Sequence, residues 1–225
     1  MPNQLKENKP FLLRKENHYL WYILILPIYL ICFFVEERLV KVEDCWVSYL
    51  PIDDKIPFLE GFVLPYELWY PMLMAIGICL LLWNHEGFKR YMTFIGLSFM
   101  TFIVYCALFP NMQPLRPAVF PRENFCTWLV GNLYAVDTNT NVCPSLHVVG
   151  SAAAIIGAFD CEKIRKKPWL LWGIVTLSVL ISISTVFIKQ HSLLDILVAI
   201  PYSLFFWVLV YRLPRWIKKR KSKTA

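Results

Sequence analysis

The sequence predicts an all-α integral membrane protein, a bundle of six transmembrane helices with both termini in the cytoplasm. Three observations indicate this fold. Hydrophobic residues make up 57% of the 225 positions and aromatic residues 16%, which leaves too little polar surface for a soluble globular domain. Six apolar stretches have about the length needed to cross a bilayer. The basic residues also concentrate on one side when these stretches alternate across the membrane.

The six apolar stretches define the predicted spans. They are residues 18–35, 62–83, 91–109, 145–159, 169–188 and 191–211. Glu36 and Glu37 follow the first stretch in place of the small residues of a cleavage site, so we expect a retained helix and not a signal peptide. The fourth stretch is short and rich in Gly, Ala and Ser, which predicts a helix packed closely among its neighbours.

The distribution of lysine and arginine predicts the orientation of the bundle. Of the 23 basic residues, 17 lie before the first span, between the second and third, between the fourth and fifth, or after the sixth. By the positive-inside rule these segments lie in the cytoplasm. The loops 36–61, 110–144 and 189–190 therefore face outward.

The same charges indicate the partners of the protein. The net charge is +7, yet the basic residues form no continuous patch of the kind that binds nucleic acid. Contact with anionic lipid headgroups at the cytoplasmic surface explains them better. The chain then divides into a cytoplasmic segment 1–17, a membrane domain 18–212 and a basic cytoplasmic tail 213–225. We expect it in the plasma membrane, and its oligomeric state is left open.

Polar residues that are suited to catalysis stand at the outward ends of the predicted helices. His191 and Asp195 are four residues apart, a spacing that puts both side chains on one face of a helix. The carboxylate can hold one imidazole nitrogen and leave the other free as a nucleophile. The alternative is a pair that only joins two helices.

The second histidine of interest is His147, which stands where the second outer loop passes into the fourth helix, directly after Pro144 and Ser145. Backbone N–H groups at a helix start form an anion site, so phosphate can dock there with Ser145 as a further donor. His147 is then a candidate general acid for a leaving alkoxide. A lone histidine at the interface is more often structural, and that reading stays open.

Two outward cations complete the candidate site. Arg116 precedes Pro117 in the second outer loop, and Lys189 stands two residues before His191. An arginine that holds phosphate oxygens through two parallel hydrogen bonds, with a lysine beside it, suits a charged phosphoryl transition state. Either residue can also be an ordinary charge at the rim.

Three short motifs together resemble the type-2 phosphatidic acid phosphatase superfamily. They are Arg116-Pro117, Pro144-Ser145-Leu146-His147, and Ser184 followed by His191 and Asp195. The signature of that superfamily is K-x6-R-P, P-S-x-H and S-R-x5-H-x3-D, and the resemblance covers about 80 residues in the same order. A weaker local resemblance points to a branch that includes inositol-phosphorylceramide synthases.

The resemblance implies a metal-independent reaction that needs no cofactor and passes through a phosphohistidine. His191 would be the nucleophile, Asp195 would orient it, and His147 would protonate the leaving group. Water would then hydrolyse the intermediate with His147 as the base. The implied phosphate ligands are Arg116, Ser145 and Ser184.

Two positions depart from the signature of the superfamily. Phe109 stands where the family has its first lysine, and Thr185 stands where it has an arginine. Lys189 lies four residues after Thr185 and would share its face on a continuing helix, so we hypothesise that Lys189 replaces one missing cation. The departures affect which lipid is bound more than which chemistry is performed.

Cys126 and Cys143 share the second outer loop, where oxidising conditions would permit a disulfide that closes the loop before His147. Free thiols are the alternative, because nothing in the sequence shows that the two Cα atoms come close enough.

The expected activity is hydrolysis of a phosphomonoester or pyrophosphate on a lipid that reaches the site from the outer leaflet. Candidate substrates are phosphatidate, phosphatidylglycerol phosphate and polyprenyl pyrophosphate. A lipid phosphotransferase, in which a hydroxyl and not water attacks the phosphohistidine, would use the same residues. A non-enzymatic lipid or ion carrier with a proton relay is a third reading, but it predicts titratable groups near the middle of the membrane.

Overall fold

The computed structural model describes residues 15–224, apart from the side chains of residues 15, 16, 218, 219 and 221–224. The predicted cytoplasmic segment 1–17 therefore lies almost wholly outside the described residues. The described chain is nearly all α-helical. Its α-helices are α1 (Ile25–Leu39), α2 (Val63–Glu67), α3 (Trp69–Trp83), α4 (His85–Leu108), α5 (Phe125–Val136), α6 (Leu146–Asp160), α7 (Glu162–Arg165), α8 (Pro168–Phe187), α9 (Leu193–Trp207) and α10 (Leu213–Thr224).

Five helical segments of the described chain are long and apolar enough to cross a membrane. They are Asn17–Leu39, Glu60–Trp83, His85–Leu108, Pro168–Phe187 and Leu193–Ile217. The first joins a 3-10 helix, Lys15–Leu24, to α1, and the last joins α9 to α10 through a π-helical turn. These five segments make the chain an integral membrane protein and match five of the six predicted spans.

The fourth predicted span corresponds to α6, which is shorter than the others. Its 15 residues extend about 22 Å, less than the roughly 30 Å of a bilayer core. It packs against α3, α4, α8 and α9, and a Cβ at Gly150 would meet the Trp69 ring at 2.6 Å. The small residues thus permit the close packing that we expected, whereas a sixth full span is not shown.

The third span begins earlier than predicted, at His85 and not at residue 91. Lys89 and Arg90, which the sequence analysis counts among the basic residues between the second and third spans, lie in the first two turns of α4. Arg90 pairs with Asp160 at 2.6 Å, so the start of α4 accommodates its charge. Asn84 caps α4 and is also the only residue between α3 and α4.

The two long loops that the sequence predicts to face outward, named here the first and second outer loops, pack against each other. Two-residue strands, β1 (Trp46–Val47) and β2 (Asn111–Met112), pair in parallel and connect the first loop to the second. The second loop also contains α5, which we did not predict; it begins with a capping box formed by Asn124 and Thr127. The two loops thereby lie over the starts of α6 and α9, where the candidate residues are found.

The permitted disulfide between Cys126 and Cys143 is not formed. Both cysteines are free thiols, and Cys143 is buried. The carbonyl of Cys143 instead accepts a hydrogen bond from the Asn111 side chain at 3.4 Å, which helps to hold the end of the second loop.

Candidate active site

The histidine and the carboxylate of the third motif are in contact. His191 Nδ1 lies 3.1 Å from Asp195 Oδ2, as predicted. The predicted reason was wrong, however, because α9 begins at Leu193 and His191 precedes the helix. Asp195 is instead held in a capping box with Ser192, whose N–H donates to Asp195 Oδ2 at 3.0 Å. With Nδ1 on the carboxylate, Nε2 of His191 is the nitrogen left for chemistry.

Asp195 is fully buried and bonded on both of its carboxylate oxygens. Oδ1 accepts a hydrogen bond from the hydroxyl of Ser48 in the first outer loop. The main-chain oxygen of Asp195 accepts from the N–H of Ser145 at 3.2 Å, which joins the second and third motifs directly. Sequence reasoning missed Ser48, because a single serine that lies far from Asp195 in the sequence carries no local pattern.

His147 is the second residue of α6 and lies between two aromatic rings. Its ring centroid is 4.3 Å from that of Tyr66 and 4.4 Å from that of Trp69. The His147 and His191 rings meet edge to face with centroids 5.8 Å apart. Nε2 of His147 is buried and has no hydrogen-bond partner among the described residues. The structure therefore brings both predicted histidines together with one nitrogen of each available.

Ser145 stands at the N-cap of α6, but its side chain does not cap the helix. Its hydroxyl is buried and has no partner in the part of the chain that the structure describes. The hydroxyl and the first N–H groups of α6 are thus available to an anion. Ser184 differs, because its hydroxyl donates to Ile181 O at 2.6 Å within α8. The proton of Ser184 is therefore already used inside its own helix.

Arg116 is held mainly by groups of the second outer loop. Its Nη2 donates to Asp137 O at 2.6 Å and to the Gln190 side chain, and its Nη1 donates to Tyr134 O at 3.3 Å. The guanidinium also lies over the Tyr134 ring, 4.2 Å from the centroid. Burial lowers the pKa of Arg116 from its ordinary value. Nε lacks a described partner, so its N–H is a donor still open to a ligand.

Lys189 has partners other than the phosphate that we predicted. The helix ends at Phe187, and Lys189 has a φ of 55°, so the assumed continuation of the helix from Thr185 to Lys189 is wrong. Its ammonium donates to Asp53 O at 2.8 Å and to Ile56 O at 2.6 Å. Burial lowers the pKa of Lys189. This geometry fastens the first outer loop, and phosphate binding by Lys189 stays a prediction.

Asp53 is a second acid that sequence reasoning missed. Its carboxylate is fully buried and accepts from Ser192 Oγ at 2.6 Å, from Leu193 N at 2.9 Å and from Leu50 N at 2.8 Å. These contacts tie the first outer loop to the start of α9. Asp53 therefore supports the turn that carries His191 without touching the histidine.

Asp137, Gln190 and Asn141 also lie near the histidines and were also missed. Asp137 Oδ2 accepts from the Tyr66 hydroxyl at 3.1 Å and from Gln190 Nε2 at 2.9 Å, and burial raises the pKa of Asp137. Asn141 has a φ of 52°, and neither atom of its buried side-chain amide has a partner among the described residues. No short motif marks any of the three in a single sequence.

A cavity of about 460 Å³ joins this polar cluster to the membrane helices. His147 and His191 line one end, together with Asp137, Asn141 and Gln190. The remainder lies between apolar side chains of α1, α3 and α4. On α3 it extends from Trp69 to Leu81, about 18 Å at 1.5 Å per residue. The cavity is therefore polar at the end that carries the histidines and apolar over most of its length.

The described residues contain no group of three or more His, Cys, Asp or Glu side chains that could hold a metal ion. Two histidines, a buried carboxylate and an open helix start lie together at the ends of apolar helices that are long enough to cross a membrane, an arrangement suited to the chemistry of phosphate esters. The chain belongs to the PAP2 superfamily, whose family model matches residues 90–219, more than half of the chain. No curated protein and no solved structure matches it.

Membership confirms the resemblance drawn from the three motifs, all of which lie within the matched residues. Members of this superfamily are phosphoesterases, with phosphatase or phosphotransferase activity. The narrower likeness to inositol-phosphorylceramide synthases stays a suspicion. The roles of the single site residues are likewise predictions, to which the geometry now adds distances.

Proposed function

We propose that this protein is a membrane lipid phosphatase that cleaves a phosphomonoester or pyrophosphate of a lipid through a phosphohistidine at His191. The observation that carries the proposal is the cavity that joins both histidines to an apolar channel between α1, α3 and α4. A lipid can keep its chain in the channel while its phosphate lies at the polar end. A water-soluble phosphate has no use for such a channel.

The contacts of the two histidines support the following order of steps in this proposal. Asp195 holds Nδ1 of His191, so Nε2 attacks phosphorus and forms the N–P bond while the P–O bond to the lipid breaks. His147 gives its proton to the leaving oxygen. Water then attacks phosphorus and gives its proton to His147, and the N–P bond breaks to release phosphate. The Tyr66 ring, which stacks on His147, and the tilted Trp69 ring hold the His147 ring in position.

The phosphate is bound, in this proposal, by donors that the structure leaves open. Ser145 Oγ, the first N–H groups of α6 and Nε of Arg116 are free of described partners or lie at a helix start. The helix start adds a favourable dipole for an anion. Ser184 can contribute only as an acceptor or after rotation of its hydroxyl, because its proton lies on Ile181 O.

Turnover, inhibition and mutation together test the proposal. We expect phosphate release from one or more of phosphatidate, phosphatidylglycerol phosphate and polyprenyl pyrophosphate, insensitive to EDTA and inhibited by vanadate. His191→Ala should lower turnover at least a thousandfold and abolish the acid-labile phosphoenzyme. His85→Ala is the matched control, an exposed histidine stacked on Tyr19 far from the site, and should retain activity. Strict dependence on a divalent ion would overturn the scheme.

A lipid phosphotransferase is the second candidate, because any hydroxyl that replaces water at the phosphohistidine gives a phosphoester product. Product analysis with labelled lipid separates the two, since inorganic phosphate indicates a hydrolase and a new phosphoester a transferase. The carrier reading predicts lipid or ion flux without phosphate release. The carrier reading would replace both candidates if the wild-type protein released no phosphate from any lipid and His191→Ala abolished its lipid or ion flux.

We also propose that α6 completes a six-helix bundle with both termini in the cytoplasm and the active site on the outer face of the plasma membrane. The basic residues outside the site support this orientation. The test is labelling of intact cells with an impermeant thiol reagent after removal of the native cysteines. Val119→Cys in the second outer loop should react, whereas Lys166→Cys between α7 and α8 should react only after permeabilisation. Reaction of Lys166→Cys in intact cells would contradict the orientation.

A further inference from the structure

Two polar residues of the cavity have no role in the proposed mechanism. Asp137 and Asn141 lie in the second outer loop and line the cavity together with His147 and His191. Neither belongs to the three motifs. A carboxylate is also an unexpected neighbour for a phosphate site, because it repels the anion that the site has to bind.

The contacts of Asp137 leave one of its oxygens open. Tyr66 and Gln190 both donate to Oδ2, and Oδ1 has no partner among the residues that the structure describes. The nearby Arg116 does not neutralise the carboxylate directly, since its Nη2 bonds the main-chain oxygen of Asp137. An ionised carboxylate only accepts hydrogen bonds. The group that meets Oδ1 is therefore a donor, either a hydroxyl or an ammonium.

Asn141 decides between these two donors. Its side chain is buried, with 6% of the residue exposed, and neither Oδ1 nor Nδ2 has a described partner. Burying an unpaired amide is costly, so a ligand is the natural partner for it. An amide offers one acceptor and one donor group, which matches a hydroxyl, since a hydroxyl both donates and accepts. An ammonium cannot use the donor of Asn141.

We propose that Asp137 and Asn141 form a hydroxyl-binding subsite beside the two histidines. This inference rests on the proposed function, because the hydroxyl matters only next to a phosphohistidine. The hydroxyl can belong to the headgroup of the lipid substrate or to an acceptor alcohol that competes with water. In the second case the alcohol oxygen forms a bond to phosphorus, the N–P bond to His191 breaks, and the alcohol proton passes along its hydrogen bond to Asp137 Oδ1.

Asp137→Asn tests the subsite with little change of shape. The carbonyl of the new amide has to face Tyr66 and Gln190, which both donate to Oδ2. Its NH2 group then occupies the position of Oδ1, so a donor replaces an acceptor. Asn141→Gly removes the second side chain and suits a backbone with φ of 52°. Asp54→Asn, an exposed carboxylate of the first outer loop, makes the same charge change outside the cavity.

The first arm measures an acceptor alcohol. The protein turns over labelled phosphatidate at increasing concentrations of glycerol. The measured quantity is the ratio of the glycerol phosphate formed to the inorganic phosphate released. We expect Asp137→Asn to lower this ratio about tenfold, the change typical of losing a hydrogen bond to a charged group. Release of diacylglycerol, which reports attack by His191, should stay within threefold of wild type.

The second arm measures a headgroup hydroxyl. The ratio of kcat/KM for phosphatidylglycerol phosphate to that for phosphatidate should fall about tenfold in Asp137→Asn, because only the first lipid carries a headgroup hydroxyl. If only the product ratio of the first arm falls, the subsite binds the acceptor alcohol. If only the kcat/KM ratio of the second arm falls, the subsite binds the headgroup hydroxyl of the substrate. Asn141→Gly should lower the same ratio as Asp137→Asn.

Either pattern supports the subsite, provided that Asp54→Asn leaves both ratios at wild-type values. Unchanged ratios in Asp137→Asn and Asn141→Gly proteins that still turn over phosphatidate would overturn it, and the proposed function would survive. If the wild-type protein forms no phosphohistidine and releases no phosphate from any of these lipids, the proposed function fails, and the subsite fails with it.

Discussion

The Ser48 hydroxyl donates a hydrogen bond to Oδ1 of Asp195, the carboxylate whose other oxygen holds His191. Both partners are fully buried. The first outer loop thus reaches the residue that orients the proposed nucleophile. An exposed connection would not be expected to affect catalysis, but this one contributes a direct bond.

Ser48→Ala should lower kcat about tenfold with little change in KM. The substitution leaves Asp195 Oδ1 buried without its donor, a loss of about 1–3 kcal/mol that weakens the hold on His191. Steady-state kinetics on phosphatidate measure it. Ser98→Ala is the control, since that buried hydroxyl bonds only carbonyls of its own helix, at 2.7 Å for Phe94 O. Equal kcat values for the two variants would show that Ser48 has no part in orienting the site.

Asp53→Ala should destabilise the protein by about 2–4 kcal/mol. The carboxylate satisfies Ser192, Leu193 and Leu50, and its removal leaves three donors without their acceptor. Thermal unfolding in detergent should show a lower Tm. Asp54→Ala removes an exposed carboxylate one residue further along the chain and should leave the Tm near that of wild type. A wild-type Tm for Asp53→Ala would contradict the buried network.

Lys189→Gly separates the two roles considered for this lysine. Glycine suits the φ of 55°, so the change removes little except the ammonium and its bonds to Asp53 O and Ile56 O. We expect a lower Tm, corresponding to about 2 kcal/mol, with KM for phosphatidate within twofold of wild type. A tenfold rise in KM at unchanged Tm would establish Lys189 as the missing phosphate ligand. Lys55→Gly, an exposed lysine of the first outer loop, controls for general charge.

Gly77→Leu should reduce activity on long-chain lipids selectively. Gly77 lines the apolar part of the cavity, and a Cβ there meets Tyr91 at an ordinary 3.6 Å, so the remaining leucine atoms project into the open space. We expect kcat/KM to fall about tenfold for a long-chain phosphatidate and less than twofold for a dioctanoyl analogue. Gly173→Leu on the open face of α8 is the matched control and should change neither. An equal fall for both lipids would argue against the channel.

Sequence reasoning succeeded where the relevant contacts are local or chemically distinctive. The sequence predicts the contact of His191 with Asp195, although through a helix face that the two residues do not share, and the small residues of the fourth apolar stretch predict the close packing of α6. The contribution of Ser48 could not be foreseen, because a contact between residues so far apart leaves no trace in a single chain. Orientation in the membrane and the phosphohistidine remain proposals.

The misplaced features have a common physical cause. The sequence predicts a start at residue 91, later than the observed start of α4 at His85, because the pairing of Arg90 with Asp160 lets a charge lie inside the helix. The helix carrying Thr185 was extended too far because a left-handed lysine at position 189 ends it without a glycine. In both places a tertiary contact of a basic side chain accompanies a departure from the local pattern.

Asn84 joins α3 to α4 as a single residue, and its side chain also donates to Asp160 O at 2.9 Å. These two helices are therefore tethered at the end remote from the histidines and cannot part there. The remaining wall of the channel is α1, in which only Tyr29 and Glu36 are buried. If the channel widens to admit a lipid chain, α1 is therefore the helix that moves, and the α3–α4 pair stays in place.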